Sequence, residues 1–308
     1  MALTNEDLPN GGKTARYTFQ YEKSLKKTTG NPAGPEPART NALIAACEAD
    51  LDLLTGWFGG VGLDCDVPVP VNVTATSGGA SWSQSGSSVT ITLNPGLGDS
   101  TFLRYLLVSE MDEQLMRAQN KGWFGTGTEG SQGEGLSRFL AAEFLAADGL
   151  GSTPSGYGIS DLWLRSSRGD SVNNINPGDS NPTAASGCSM LFLYYLYRQL
   201  GFEIRRIVVT GGTPLSKVYQ NLTADDVDPF PDFKQVLDDA FPPSTFTKIG
   251  GANPDNPYPL PTPRRLSMRR AIATFPQPDA VTARQVLTLT GEPSLRPALN
   301  RRRRQAML

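Results

Sequence analysis

Hydrophobic side chains recur at two different spacings along the first half of the chain. Between residues 39 and 56 they recur every three or four positions, whereas over 67–74 and again over 89–93 they occupy every second position. The first spacing predicts a helix, and the second predicts two strands. The Gly/Ser-rich segment 77–88 predicts a loose hairpin between these strands.

Most of the remaining chain has helical spacing. Asp99 and Ser100 precede a long apolar stripe over 101–120, which predicts a capped helix, and another helix is predicted to begin near Gly133. Five more segments show the same spacing, at 161–166, 185–200, 204–209, 215–222 and 233–241. Beyond residue 242 the chain is rich in Pro and Arg, and we expect at most two strands there, at 270–275 and 285–289.

These patterns predict an α+β fold with four regions. The first 39 residues are polar and carry a Pro/Gly break at 31–35, so only a short strand at 17–19 is expected in them. The predicted regions are an N-terminal arm or linker at 1–39, an α+β region at 40–148, a mainly helical subdomain at 149–250, and an irregular Pro/Arg-rich tail at 251–308.

The chain contains no histidine. Histidine is the side chain that titrates near neutral pH and is the commonest metal ligand in proteins. Its absence excludes Ser-His-Asp and Cys-His nucleophiles and every histidine-ligated zinc site. Any chemistry must therefore use carboxylates, hydroxyls or the three thiols.

Cysteine usage and hydropathy indicate a reducing environment. Cys47, Cys65 and Cys188 form no CxxC pair, the N-terminus lacks an apolar signal segment, and no apolar run is long enough to span a membrane. We therefore expect free thiols, no membrane partner, and a cytoplasmic protein or one packed inside a cytoplasmically assembled particle. Cys188 begins an apolar helix, where small residues favour a packing role over a reactive thiol.

Charge is distributed unevenly along the chain. Residues 252–308 carry ten arginines against three acids, a balance of +7, whereas the whole chain carries −2. An acidic body with a basic tail suggests docking to a protein partner. We expect the partner to be reached through the N-terminal arm, the aromatic turn Trp57-Phe58, and the run Arg301, Arg302, Arg303 and Arg304 in the tail. Nucleic acid is a weaker alternative for the arginine run, because no aromatic residues are interleaved with it.

The long helix contains a distinctive pattern of acids. Residues 106–116 read Leu-Leu-Val-Ser-Glu-Met-Asp-Glu-Gln-Leu-Met, and the following helix opens with Gly-Glu-Gly-Leu-Ser-Arg at 133–138. The order helix, strand, strand, long helix, glycine-rich loop, helix resembles that of gluzincin-type zinc peptidases. In those proteins, the long helix carries two histidine ligands and a glutamate base in the motif HExxH. The resemblance implies a zincin-like fold, with a small sheet packed on the long helix.

Against that motif, Ser109 and Glu113 stand where the two histidines would be, and Glu110 stands where the base would be. Glu134 stands at the position of the third ligand. Segments 186–196 and 211–215 resemble a bacterial family of unassigned function whose long helix is similarly degenerate. The resemblance therefore implies a fold and no activity.

We interpret the motif as the remnant of a metal site. Arg138 follows Glu134 by four residues and is positioned to neutralise the acids, which favours a non-catalytic metallopeptidase-like structural or binding protein without a cofactor. Such a protein would be a subunit or cargo of a larger assembly.

Two alternatives stay open. One is a hydrolase with Glu110 as base and a hard cation held by Glu113 and Glu134, with Ser109 as a further oxygen donor. The other is a glycan-binding or glycan-acting domain, whose groove would be lined by Trp82, Trp123 or Trp163.

Overall fold

A computed structural model describes residues 2–125, 127–178 and 182–261. These residues belong to one compact unit. The predicted strands at 270–275 and 285–289 and the arginines 301–304 lie outside the described residues. Within the described part of the chain, no helix is long and apolar enough to cross a membrane.

One mixed sheet of five strands forms the base of the fold. The strands, in chain order, are β1 (Leu3–Thr4), β2 (Tyr17–Glu22), β3 (Val69–Val73), β4 (Ser77–Ser85) and β5 (Ser88–Pro95). Their order across the sheet is β1-β2-β3-β5-β4. β2, β3 and β5 are parallel, and the two edge strands β1 and β4 are antiparallel to their neighbours.

Both predicted strands are present, but the prediction that they form a hairpin with each other is wrong. Val71 of β3 pairs with Ile91 of β5 in a parallel register, and the segment predicted as a loose connection contains the edge strand β4. β4 reads Ser-Gly-Gly-Ala-Ser-Trp-Ser-Gln-Ser, and Gly and Ser have little intrinsic strand preference. Its conformation is set by pairing with β5, a tertiary contact that has no local signal.

The segment predicted as an N-terminal arm is also part of the sheet. β2 lies between β1 and β3, and its alternate residues Tyr17, Phe19 and Tyr21 are almost completely buried. The predicted strand covers only residues 17–19, whereas the alternation of buried aromatic residues continues to Tyr21. Residues 1–39 are therefore not a free arm where they are described, because burial of these three rings fixes β2 in the core.

Helices make up most of the remaining structure, and the fold is α+β as predicted. The described residues form α1 (Ala38–Trp57), α2 (Ser100–Gln119), α3 (Gly130–Ala147), α4 (Ser160–Leu164), α5 (Ala184–Tyr194), α6 (Ile204–Thr210), α7 (Leu215–Thr223) and α8 (Phe230–Ala240). α5 continues as a π-helical turn at Tyr195–Gln199, and short 3-10 helices lie at Pro9–Gly12 and Lys23–Leu25.

The long helix α2 begins where its cap predicts. The Asp99 carboxylate accepts a hydrogen bond from the backbone N–H of Phe102 at 2.9 Å, which satisfies one of the free amides at the helix start. α2 packs against the sheet, α1 and α3. Because α2 packs against both the sheet and α3, the motif residues on α2 lie near both of these elements.

The predicted tail does not begin at residue 251. The fully buried Asp255 carboxylate accepts hydrogen bonds from the backbone N–H groups of Ile159 and Ser160, each at 2.8 Å. The backbone N–H of Leu260 also donates to the side-chain oxygen of Gln199 at 2.8 Å. Residues 251–261 therefore pack on the body of the protein, because one buried carboxylate ties them to the start of α4.

Candidate functional site

A cleft of about 600 Å³ lies between β4, α2 and α3. All five motif residues that the sequence singled out line it, namely Ser109, Glu110, Glu113, Glu134 and Arg138. β4 forms one wall with Gly78, Gly79, Ala80, Ser81 and Trp82, and the loop residue Tyr157 also lines the cleft. The packing of α3 against α2 therefore brings together residues that are up to 29 positions apart in the sequence.

Three carboxylates meet in this cleft. One oxygen from each of Glu113, Glu129 and Glu134 lies within 4.8 Å of the others, and each residue is only 6–7% exposed. They come from α2, from the loop before α3 and from α3 itself. Glu110 lies one turn before Glu113 on α2 and lines the same cleft.

The sequence patterns do not predict that Glu129 belongs to this cluster of carboxylates. Glu129 lies at the end of the glycine-rich loop that begins at Gly122, directly before Gly130, which begins α3. That loop has no hydrophobic periodicity, so nothing in the pattern places the Glu129 side chain. Only the tertiary path of the loop brings it to α2.

Trp82 positions one of the acids. Its indole Nε1–H donates a hydrogen bond to Oε2 of Glu113 at 2.7 Å, and the guanidinium of Arg117 lies 5.0 Å from the centre of its ring. From the sequence, Trp82 is expected only to line a glycan groove. A hydrogen bond from a neutral donor holds the Glu113 carboxylate in place but supplies no charge to balance it.

Arg138 forms the ion pair expected from its spacing. Its Nε lies 2.5 Å from Oε1 of Glu134, and Nη1 donates to the carbonyl of Tyr157 at 3.1 Å. Within residues 2–125, 127–178 and 182–261, Arg138 makes no ion pair with Glu110 or Glu113. Its positive charge is therefore committed to one of the four acids.

The acids perturb one another because they are buried together. Burial, together with the charges of Glu134 and Glu129, raises the pKa of Glu110 to about 8 against the opposing charge of Arg138. Burial also raises the pKa of Glu113 well above its usual value, with Glu110 and Glu129 as additional causes. These directions follow from the cost of placing several negative charges in a poorly solvated space.

The zinc ion implied by the resemblance does not fit these residues. Tetrahedral zinc sites in proteins are built mainly from imidazole and thiolate ligands, to which a carboxylate can be added, and the chain contains no histidine. Neither Cys47 nor Cys188 is near the surface of the cleft, since both are fully buried elsewhere, and Cys65 is not among the cleft residues. The donors present are carboxylate oxygens, which match hard cations such as Ca²⁺, Mg²⁺ and Mn²⁺.

Several other predicted site residues lie outside the cleft. Phe58 is 1% exposed and Trp57 is half-buried, so the aromatic turn does not present two free anchors to a partner. Trp123 and Trp163 are buried in the core, which leaves Trp82 as the one candidate among the three for a glycan groove. Cys188 packs in α5, and burial raises its pKa, opposite to what a reactive thiol requires.

A search for similar proteins finds no match to this chain among protein-family models, curated proteins or solved structures.

Proposed function

We propose that this protein is a non-catalytic, gluzincin-like binding protein that holds an extended segment of a partner protein in the cleft beside β4. The observation that carries the proposal is the position of β4, an edge strand that also forms a wall of the cleft. Such a protein would serve as a subunit or as cargo of a larger assembly. The buried β2 and the buried Phe58 move the expected contact from the arm and the aromatic turn to this cleft.

The composition of β4 suits pairing with another chain. Among the described residues β4 pairs only with β5, so its second edge has no strand beside it. Residues 78–81 of β4, which line the cleft, are two glycines, an alanine and a serine. No atom lies within 4 Å of the position that a Cβ on Gly78 would occupy. An edge of this kind offers backbone N–H and C=O groups to an extended peptide, which can add as a further strand.

The absence of histidine supports the non-catalytic part of the proposal. Ser109 and Glu113 stand where the resemblance places the zinc ligands, and no imidazole elsewhere in the chain can replace them. A site without a zinc-bound water lacks the group that attacks the peptide bond in zinc peptidases. The binding cleft remains available without that chemistry.

The proposal is tested by selecting peptides on the full-length protein from a random phage-displayed library. A selected peptide should slow amide hydrogen exchange in residues 78–82, because new backbone hydrogen bonds protect these amides. Ser109→Leu, which fills the cleft floor, should weaken binding about tenfold or more, equivalent to at least about 1.4 kcal/mol. The matched variant Ser83→Leu changes an exposed serine of β4 that does not line the cleft, and it should bind as the wild type does.

Selected peptides that bind equally well to Ser109→Leu, or that leave exchange in β4 unchanged, would exclude this mode of binding. Failure to select any peptide over several rounds would have the same consequence. A peptide whose binding is lost in Ser83→Leu but kept in Ser109→Leu would place the contact on the outer face of β4 instead.

A hydrolase is the second candidate, favoured by the position of Glu110 beside three clustered carboxylates. In that case the three acids would hold a hard cation and Glu110 would accept a proton from water. The test is cleavage of a fluorogenic peptide library with Ca²⁺, Mg²⁺ or Mn²⁺ present. Cleavage by the wild type that is abolished in Glu110→Gln and kept in Glu203→Gln, a change at an exposed position, would favour the enzyme over the binding protein.

A further inference from the structure

The three convergent carboxylates have the arrangement of ligands around a single cation. Ca²⁺ and Mg²⁺ bind oxygens at about 2.0–2.6 Å, so oxygens that share one ion lie no more than about 5 Å apart. Glu113, Glu129 and Glu134 satisfy this condition, with one oxygen of each within 4.8 Å of the others. Each acid comes from a different segment, and each is less than a tenth exposed.

Glu110 provides a second, independent observation. Its side chain is 6% exposed and lines the same cleft, where the charges of Glu134, Glu129 and Arg138 act on it. In the part of the chain that the structure describes, its carboxyl forms no hydrogen bond and no ion pair. A buried carboxyl without a partner, directed into a cluster of acids, indicates that a positively charged group belongs there.

The charges of the described residues support the same conclusion. Four carboxylates line or adjoin the cluster, and Arg138 pairs with Glu134 alone. The indole of Trp82 orients Glu113 without adding charge. If Glu110, Glu113 and Glu134 are ionised, the one guanidinium of Arg138 leaves two negative charges among these three acids, and a divalent cation would balance them.

We propose that Glu113, Glu129 and Glu134 bind one hard divalent cation of the Ca²⁺, Mg²⁺ and Mn²⁺ class, with Glu110 as an adjacent carboxylate that strengthens the negative field. An all-carboxylate donor set selects these ions over zinc. Ion binding goes beyond the proposed function and does not require it, because the ligands lie on α2, on α3 and in the loop before α3, whereas the peptide contact lies on β4.

The experiment is isothermal titration of the chelator-treated full-length protein with CaCl₂, MgCl₂, MnCl₂ and ZnCl₂ in separate runs. The wild type should bind one equivalent of at least one of the three hard cations, and should bind Zn²⁺ more weakly. Glu113→Gln and Glu129→Gln should each weaken binding about tenfold or more, since affinity depends on the charge of the ligands. Glu203→Gln, at an exposed position outside the cleft, should leave affinity unchanged.

Trp82 supplies an internal reporter. Because its indole donates to Glu113, cation binding should change tryptophan fluorescence, and Trp82→Phe should remove that change while one equivalent still binds in the calorimeter. The use of two ligand variants from separate segments, each checked for a native circular dichroism spectrum, keeps the test valid if one fails to fold.

The proposal is overturned if the wild type binds none of the three hard cations at millimolar concentration, or binds Zn²⁺ most tightly. It is also overturned if a folded ligand variant retains wild-type affinity. The titration contains no peptide and the peptide selection is run with a chelator, so that failure of either proposal can be recognised without the other.

Discussion

Replacing Glu110 with glutamine should stabilise the metal-free protein, with a defined dependence on pH. The carboxyl of Glu110 has an ordinary pKa of 4.5 and a folded-state pKa raised to about 8, because it is buried beside Glu134 and Glu129. Below its unfolded-state pKa, such a carboxyl is protonated in both the folded and the unfolded protein, so it does not lower the free energy of unfolding. As pH rises from 4.5 to about 8, the unfolded state loses its proton first and folding becomes less favourable.

The size of the effect follows from the two pKa values. Each pKa unit corresponds to about 1.4 kcal/mol, so Glu110 lowers the free energy of unfolding by about 3 kcal/mol at pH 7 and by about 5 kcal/mol above pH 8. Glutamine has nearly the same shape and helix preference as glutamate but cannot ionise. The variant should therefore match the wild type near pH 4 and exceed it by these amounts at higher pH.

The assay is urea unfolding of both proteins at pH 4, 5.5, 7 and 8.5 in the presence of a chelator, followed by tryptophan fluorescence. Glu203→Gln is the matched control, because the same change at an exposed position should shift stability little at any pH. If Glu110→Gln is less stable than the wild type at pH 8.5, or if the difference is the same at all four pH values, the carboxyl is not buried among other acids and the description of the cleft is wrong.

Three further predictions concern other parts of the molecule. Arg138→Met should lower the free energy of unfolding by about 3 kcal/mol, because it leaves Glu134 buried without its partner, and Glu134→Gln in the same chain should restore part of this loss in urea unfolding. Asp255→Ala should cost about 4 kcal/mol in the same assay, since two buried backbone N–H groups lose their acceptor, and proteolysis near residue 255 should accelerate. In native protein a thiol reagent should modify Cys65 before the other two cysteines, because Cys65 is only partly buried. Cys47 and Cys188 should stay unmodified until denaturant is added, because both are fully buried and burial raises the pKa of Cys47 to about 12.

The helices of this fold could be predicted because their signals are local. The apolar spacing that predicts α1 and α2 is contained within each helical segment. The cap residue Asp99 directly precedes α2 in the sequence. Spacing along one helix also places Glu110 and Glu113 on the same side, and it predicts the Glu134–Arg138 pair. These elements depend on contacts over three or four residues.

The sheet and the full acidic cluster could not be predicted in the same way. Pairing between β3 and β5 is parallel and joins segments twenty residues apart, and β4 contains residues with little strand preference. Glu129 enters the cleft because of the tertiary path of its loop, which has no periodic pattern. In each case the position is decided by contacts between segments that are distant in the sequence, and a local pattern does not record them.

The balance of charge in the cleft argues against a site kept only for structure. A remnant that stabilises the fold would be neutral, and the expected neutralising residue, Arg138, pairs with Glu134 alone. Glu110 and Glu113 are buried beside it and perturb one another, which costs free energy that glutamine or an apolar side chain would not. Buried groups that destabilise the fold cluster at functional sites, where a ligand compensates them when it binds. The cation proposed above would lower that cost by entering the cleft, because it brings positive charge to these buried carboxylates.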